Sequence, residues 1–246
     1  MSNSNNLSLD KKNIDTVLVL DFGSQYTQLI ARRIRELNVF SAILPWDVST
    51  EKIKSLNPKG VILSGGPESV TESNTPRIPE IIFELDVPVL GICYGMQTLA
   101  EQFGGQVSSS KNKEFGHAQI LLEKPSILFD GFSTGSSIDV WMSHGDHVST
   151  LPDEFNLIAS TTSAPIAAME HVQKPIYALQ FHPEVTHTKH GNTVLENFTF
   201  KICKCAAQWK MENLIEQRID EIKEKVGDQK VLLGLSGGVD SSVTAM

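Results

Sequence analysis

Residues Pro88 to Gly104 read PVLGICYGMQTLAEQFG. The opening run is apolar and short, the form of a strand buried on both faces. From Tyr94 onward the pattern is that of a helix. The two meet at Gly91-Ile92-Cys93-Tyr94-Gly95, the cysteine counterpart of the G-x-S-x-G nucleophile elbow. Such a turn is tight enough to strain its central residue, and the flanking glycines let neighbours approach where a Cβ would clash. The Cys93 sulfur is thereby lifted to the C-terminal edge of a sheet, beside the positive end of a helix. That setting, with an imidazolium nearby, favours the thiolate that attacks carbonyl carbon.

Upstream, strand and helix signals alternate. VLVLDF (Val17 to Phe22) is followed by GSQYTQLIARRIRELN, in which Leu29, Ile30, Ile34 and Leu37 recur at helical spacing. FSAILP, a short helix near Glu51 to Leu56, the strand GVILSGG and a helix around Ile78 to Leu85 come next. This βαβα order predicts a parallel sheet covered by helices, because parallel strands need crossover connections. From Gln106 to about Val185 the pattern changes to short β-like runs (QVSSS, HAQILL, DVWMS, FNLIAS, PIAAME, IYALQF) divided by Gly, Pro, Ser and Asp turns. The expected fold is α/β: a mixed, mostly parallel central sheet with flanking helices in flavodoxin-like layers, plus a small antiparallel sheet. A helix from about Asn192 to Cys203 closes this domain.

The organisation restarts around Cys205 to Trp209. Met211, Leu214, Ile215, Ile219, Ile222 and Val226 form an amphipathic stripe ending at Gly227. The strand VLLGL and the glycine loop SGGVDSS follow, and the sequence stops at Met246 where a helix should begin. Three segments are expected: a flexible tail over 1–15, a domain over 16–207, and over 208–246 the truncated start of a second domain.

Composition narrows the function. The 246 residues carry a net charge of −8 and no basic block longer than Arg32-Arg33, which argues against a nucleic-acid-binding face. The polar N-terminus has no apolar signal region, and no stretch nears the ~18 uninterrupted apolar residues of a membrane span. Three cysteines suit a reducing, cytoplasmic setting and leave free thiols for chemistry.

A base for Cys93 is offered by Phe181-His182-Pro183-Glu184, directly after an apolar strand. His182 suits general acid–base work, and Glu184, two residues on in an extended strand, would share its face and fix its tautomer. Leu63-Ser64-Gly65-Gly66-Pro67 is a glycine loop after a strand, placed to offer the Gly66 N–H beside that of Tyr94 as an oxyanion hole. His182, Glu184, His187 and His190 also contain metal-ligand types, but one is already the base, and no metal is expected in this domain. Cys203 and Cys205 are read as structural thiols.

The order SGGP, GICYG, HPE resembles the class I glutamine amidotransferases. That resemblance implies a triad of Cys93, His182 and Glu184, with Gly66 and Tyr94 as oxyanion donors. It also implies that Gln97, Ser143, Gly145 and Asp146 hold the amino-acid end of glutamine. No cofactor is implied for this glutaminase reaction. LDFGSQYTQLIARRIRE (Leu20 to Glu36) further resembles the opening of the GMP synthetase family, and LGLSGGVDSS (Leu233 to Ser242) looks like the pyrophosphate loop of ATP pyrophosphatases. The loop comprises Ser236, Gly237, Gly238, Val239, Asp240, Ser241 and Ser242 and lacks the Lys of a Walker A motif. In that family, resemblance implies, ATP and Mg²⁺ serve the amination of XMP to GMP by ammonia from glutamine, in a missing C-terminal synthetase domain, within a homodimer of the full-length protein. Two other readings stay open: a catalytically silent regulatory or binding module, and a stand-alone cysteine amidohydrolase.

Overall fold

The computed structural model describes residues 14–210, 219 and 222–246, with 110–113 in backbone only. Nine strands form one sheet: β1 (Thr16–Asp21), β2 (Phe40–Pro45), β3 (Gly60–Leu63), β4 (Val89–Ile92), β5 (Gln106–Leu122), β6 (Ser137–Thr150), β7 (Phe155–Ser160), β8 (Ala168–His171) and β9 (Ile176–Leu179). Their order is β2-β1-β3-β4-β9-β8-β7-β5-β6. The apolar runs of β1, β3 and β4 are buried almost throughout, as expected of parallel strands covered on both faces.

Helices α1 (Thr27–Glu36), α2 (Thr50–Leu56) and α3 (Ile81–Glu84) make the crossovers between parallel strands, and α4 (Tyr94–Gln102) leads from β4 into β5. α1 turns Thr27, Ile30, Ala31 and Ile34 inward, so Ile30 and Ile34 of the expected stripe are buried while Leu29 and Leu37 are only half-buried. α2 is capped by Ser49, whose side chain accepts from the Lys52 N–H, and ends at Asn57 in a left-handed conformation. α3 is shorter than the expected Ile78 to Leu85 because Pro79 disfavours helical backbone at Ile78. After β9, α5 (Gly191–Glu196) runs into a π-helical turn over Asn197–Ile202, so the expected closing helix forms but changes its winding.

The site is prepared by register. Leu20 pairs with Leu63, Leu63 with Gly91, and Ile92 with Leu179, all in parallel. The loops that follow β1, β3, β4 and β9 therefore leave the sheet at one edge, where ligands of open α/β sheets bind. β6 adds residues 143–146 to that edge.

Three expectations change. The small antiparallel sheet is not separate: β5 and β6 join the nine-stranded sheet through β7, by Leu121↔Ser160 and Leu122↔Ala159. QVSSS and HAQILL are parts of one strand, with a register shift between Ser109 and Glu114. VLLGL makes no strand, since a strand needs a pairing partner and this run has none among the described residues.

The chain divides into two compact units after Trp209. In the second, a helix, α6, spans Val239–Ala245, so the SGGVDSS run enters helix at Val239, earlier than the sequence reading expected. The expected tail over 1–15 and the stripe from Met211 to Val226 lie largely outside the described residues. Among those described, no helix is long and apolar enough to cross a membrane.

Candidate active site

Cys93 caps the N-terminus of α4 with φ 52° and ψ −107°. A non-glycine residue holds such angles only when its surroundings over-determine them. They do so here. The Cys93 N–H is tied to the Leu179 carbonyl at 2.7 Å and the Gly95 N–H to the Ser64 carbonyl at 3.0 Å. A Cβ on Gly95 would lie 2.4 Å from the Leu63 carbonyl oxygen, so the helix packs against β3 only because that position is glycine.

His182 lies beyond the end of β9, not within an extended strand as its spacing suggests. Its N–H bonds the Trp141 carbonyl at 3.1 Å, and its own carbonyl accepts from Thr188 Oγ1 at 2.6 Å. Pro183 and Glu184 then turn back. The turn, rather than strand periodicity, brings Glu184 Oε1 to 2.7 Å from His182 Nδ1. Both side chains are almost wholly buried. Burial opposes the imidazolium, but the Glu184 carboxylate, the Cys93 sulfur and their hydrogen bonds outweigh it, so His182 is held well above its ordinary value.

That coupling has a measurable consequence. A histidine raised on folding contributes stability fully below its unfolded value of about 6.5, and loses it as pH rises through the folded value. Wild-type stability is therefore expected to fall as pH rises above about 6.5. In Glu184→Gln, with the main cause of the rise removed, that slope should flatten. Urea unfolding between pH 6.5 and 9 measures both slopes, and parallel slopes would contradict the pairing.

Cys93 and His182 share one cavity of about 680 Å³. Of the residues singled out from sequence, Gly66, Gln97, Ser143, Gly145 and Asp146 line it with them. Tyr94 and Glu184 do not. The Tyr94 side chain turns away to bond the Pro76 carbonyl at 2.7 Å, leaving only its backbone near the sulfur, and Glu184 stands behind His182. The amide N–H groups of Gly66 and Tyr94 have no hydrogen-bond partner among the described residues. Gln97 Nε2 donates to the Asp146 carbonyl at 2.7 Å, and Ser69 Oγ bonds the Asp146 carboxylate. These bonds tie α4, β6 and the loop after β3 together around the opening.

Several neighbours escaped the sequence reading. The Tyr26 ring meets that of His182 edge-on at 5.2 Å between centroids. Arg33 Nε donates to the Glu184 carbonyl at 3.0 Å. Gln180 Nε2 reaches the Cys93 sulfur at 3.8 Å. His144, between Ser143 and Gly145, is buried 3.3 Å from Glu114, and burial lowers its proton affinity despite that carboxylate. Only the position of Gln180 beside FHPE was a usable signal.

The remaining candidates go elsewhere. The His187 ring stacks on Trp141 at 4.4 Å and His190 lies against Phe132. Among the described residues no group of three or more His, Cys, Asp or Glu is placed to hold a metal ion. Cys203 and Cys205 are buried free thiols; burial raises the first, while a hydrogen bond from it lowers the second. In the second unit, Ser236 Oγ lies 3.1 Å from Ser241 Oγ and Ser242 Oγ donates to the Gly238 carbonyl at 2.9 Å. Gly237 takes φ 79°, Asp240 sits in the first turn of α6, and the loop is exposed from Ser236 to Asp240.

The family described as glutamine amidotransferase class-I matches residues 18–202. A glutamine-hydrolysing GMP synthase of Hamiltonella defensa is 54% identical over 96% of the chain, which covers 46% of that protein. One from Alteromonas mediterranea is 56% identical over 94% of the chain and 45% of its own length. The chain thus spans about half the length of the curated relatives it matches. A crystal structure of a Thermoplasma acidophilum protein, whose assignment as part of a GMP synthase is provisional, superposes with a TM-score of 0.69. It is 32% identical, over 85% of this chain and 98% of that one.

Proposed function

The chain belongs to the class-I glutamine amidotransferase family, and from that premise we propose that it hydrolyses glutamine to glutamate and ammonia with Cys93 as nucleophile. The observation that carries the reading is the strained Cys93 facing one cavity with a His182 already paired to Glu184.

The Cys93 thiolate attacks the side-chain carboxamide carbon of glutamine. The N–H groups of Gly66 and Tyr94 stabilise the tetrahedral oxyanion, a contribution of about 3 kcal/mol per donor. His182, held as imidazolium, gives its proton to the departing nitrogen, and a glutamyl thioester and ammonia result. His182 then takes a proton from water, which attacks the thioester and releases glutamate and the sulfur. Glu184 keeps Nδ1 protonated and the ring oriented throughout. Gln97, Ser143, Gly145 and Asp146 bind the amino-acid end of the substrate.

The family resemblance and the relatives' names support a larger assignment. In the whole protein, the first unit is the amidotransferase domain and the second begins an ATP pyrophosphatase domain, where the ammonia aminates XMP to GMP at the expense of ATP. Glycine backbone and serine hydroxyls at 236–242 fit a diphosphate, and Asp240 fits Mg²⁺, which would neutralise phosphate charge there. The reaction belongs to the cytosol.

Incubation with a glutamine-like diazoketone is expected to add one adduct, at Cys93, blocked by excess glutamine. Peptide mass spectrometry reads the position. Labelling at Cys203 or Cys205, or none when the protein is active in its complete form, would sink the assignment.

A further inference from the structure

Gln180 is fully buried and stands between the end of β9 and His182. Its Nε2 donates to the Cys93 sulfur at 3.8 Å, while its Oε1 is buried with no partner among the described residues. An unpaired buried carbonyl oxygen is destabilising, and methionine would fill the same volume without that cost. A residue kept at such a cost is explained by what its other end does.

The sulfur has neighbours of opposite character. As a thiol, Cys93 donates to the Ser143 carbonyl at 3.6 Å. Once the proton has gone, that carbonyl faces a negative sulfur and only donors favour it. His182 is one donor, but it must turn its proton to the leaving nitrogen and later serve water. The Gln180 side-chain N–H has no other hydrogen-bond partner among the described residues.

We propose that Gln180 is a positioning residue for Cys93, its side-chain N–H holding the sulfur at the elbow and stabilising the thiolate while His182 serves the leaving nitrogen and then water. The proposal rests on the reading of Cys93 as nucleophile.

The rate of Cys93 alkylation by iodoacetamide, followed against pH on the intact protein, tests it. The other ionisable groups facing Cys93 are His182 with Glu184 behind it, His144, Asp146, Glu68, Glu72 and Tyr26, and all are unchanged in the variants. Gln180→Met is expected to move the midpoint up by about half to one pH unit. It should lower kcat for glutamine with little change in KM, and leave the melting temperature equal or higher. Gln180→Asn, too short to reach the sulfur, should show the same pH shift. If the Met variant does not fold, the Asn profile decides. Wild-type profiles in the folded variants would overturn the proposal and make Gln180 a packing residue. Failure of the diazoketone to label wild-type Cys93 would instead sink the functional reading, and the alkylation profile would still report on Gln180.

Discussion

Cys93→Ala is expected to lower glutamine hydrolysis by at least about 10⁴-fold, since removal of a covalent nucleophile leaves only binding and oxyanion stabilisation. No other thiol can substitute. Cys203 packs against Gly60 at the start of β3, the opposite edge of the sheet from the residues that follow β4. Cys205, two residues on, is buried too. The same position carries a second, opposite effect. At φ 52° and ψ −107° any residue with a Cβ is strained by about 1–3 kcal/mol, and glycine is not. Cys93→Gly is therefore expected to abolish hydrolysis while raising stability by about 1 kcal/mol or more. A glutamate-release assay and urea unfolding measure the two sides. An active alanine variant would end the nucleophile assignment, and a destabilised glycine variant would show that the strain had been misjudged.

Gly191→Ala is expected to be the most damaging single methyl group in the first unit. A Cβ there would lie 1.8 Å from the Pro183 carbonyl oxygen and 2.7 Å from its carbon. Both atoms are backbone, so no rotamer change relieves the overlap. Either α5 shifts or the turn holding His182 and Glu184 does. Overpacking against backbone costs about 3 kcal/mol, which for a domain of this size lowers the melting temperature by roughly 6–12 °C. Because Pro183 separates the two paired side chains, kcat should also fall by about 10²-fold, the effect of misplacing a reacting group by about 1 Å. Gly234→Ala, where a Cβ would meet nothing within 4 Å, is the control. An unchanged melting temperature in Gly191→Ala would contradict the packing described.

The parallel half of the sheet and the elbow were legible because both are local patterns. Val17 to Phe22 and Pro88 to Gly104 each carry their period and their turn within a few residues. The antiparallel half was harder to read. Whether β5 and β6 stand apart or extend the main sheet depends on two residue pairs with β7, and nothing in the strands' own alternation encodes a partner that distant.

The chain order of SGGP, GICYG and HPE by itself pointed to Gly66, Cys93, His182 and Glu184 as the candidates for a chemical role, because each motif is a local pattern: a tight turn after a strand, a cysteine at an elbow, a histidine two residues from a carboxylate. Folding decided how those motifs meet. His182 and Glu184 pair through a turn pinned by Trp141 and Thr188 instead of along a strand. Arg33 reaches the Glu184 carbonyl across 151 residues, Ser69 bonds Asp146 across 77, and Gln180 touches Cys93 across 87. Such contacts arise only when parallel strands in register deliver their loops to one edge, and spacing along the chain carries no record of them.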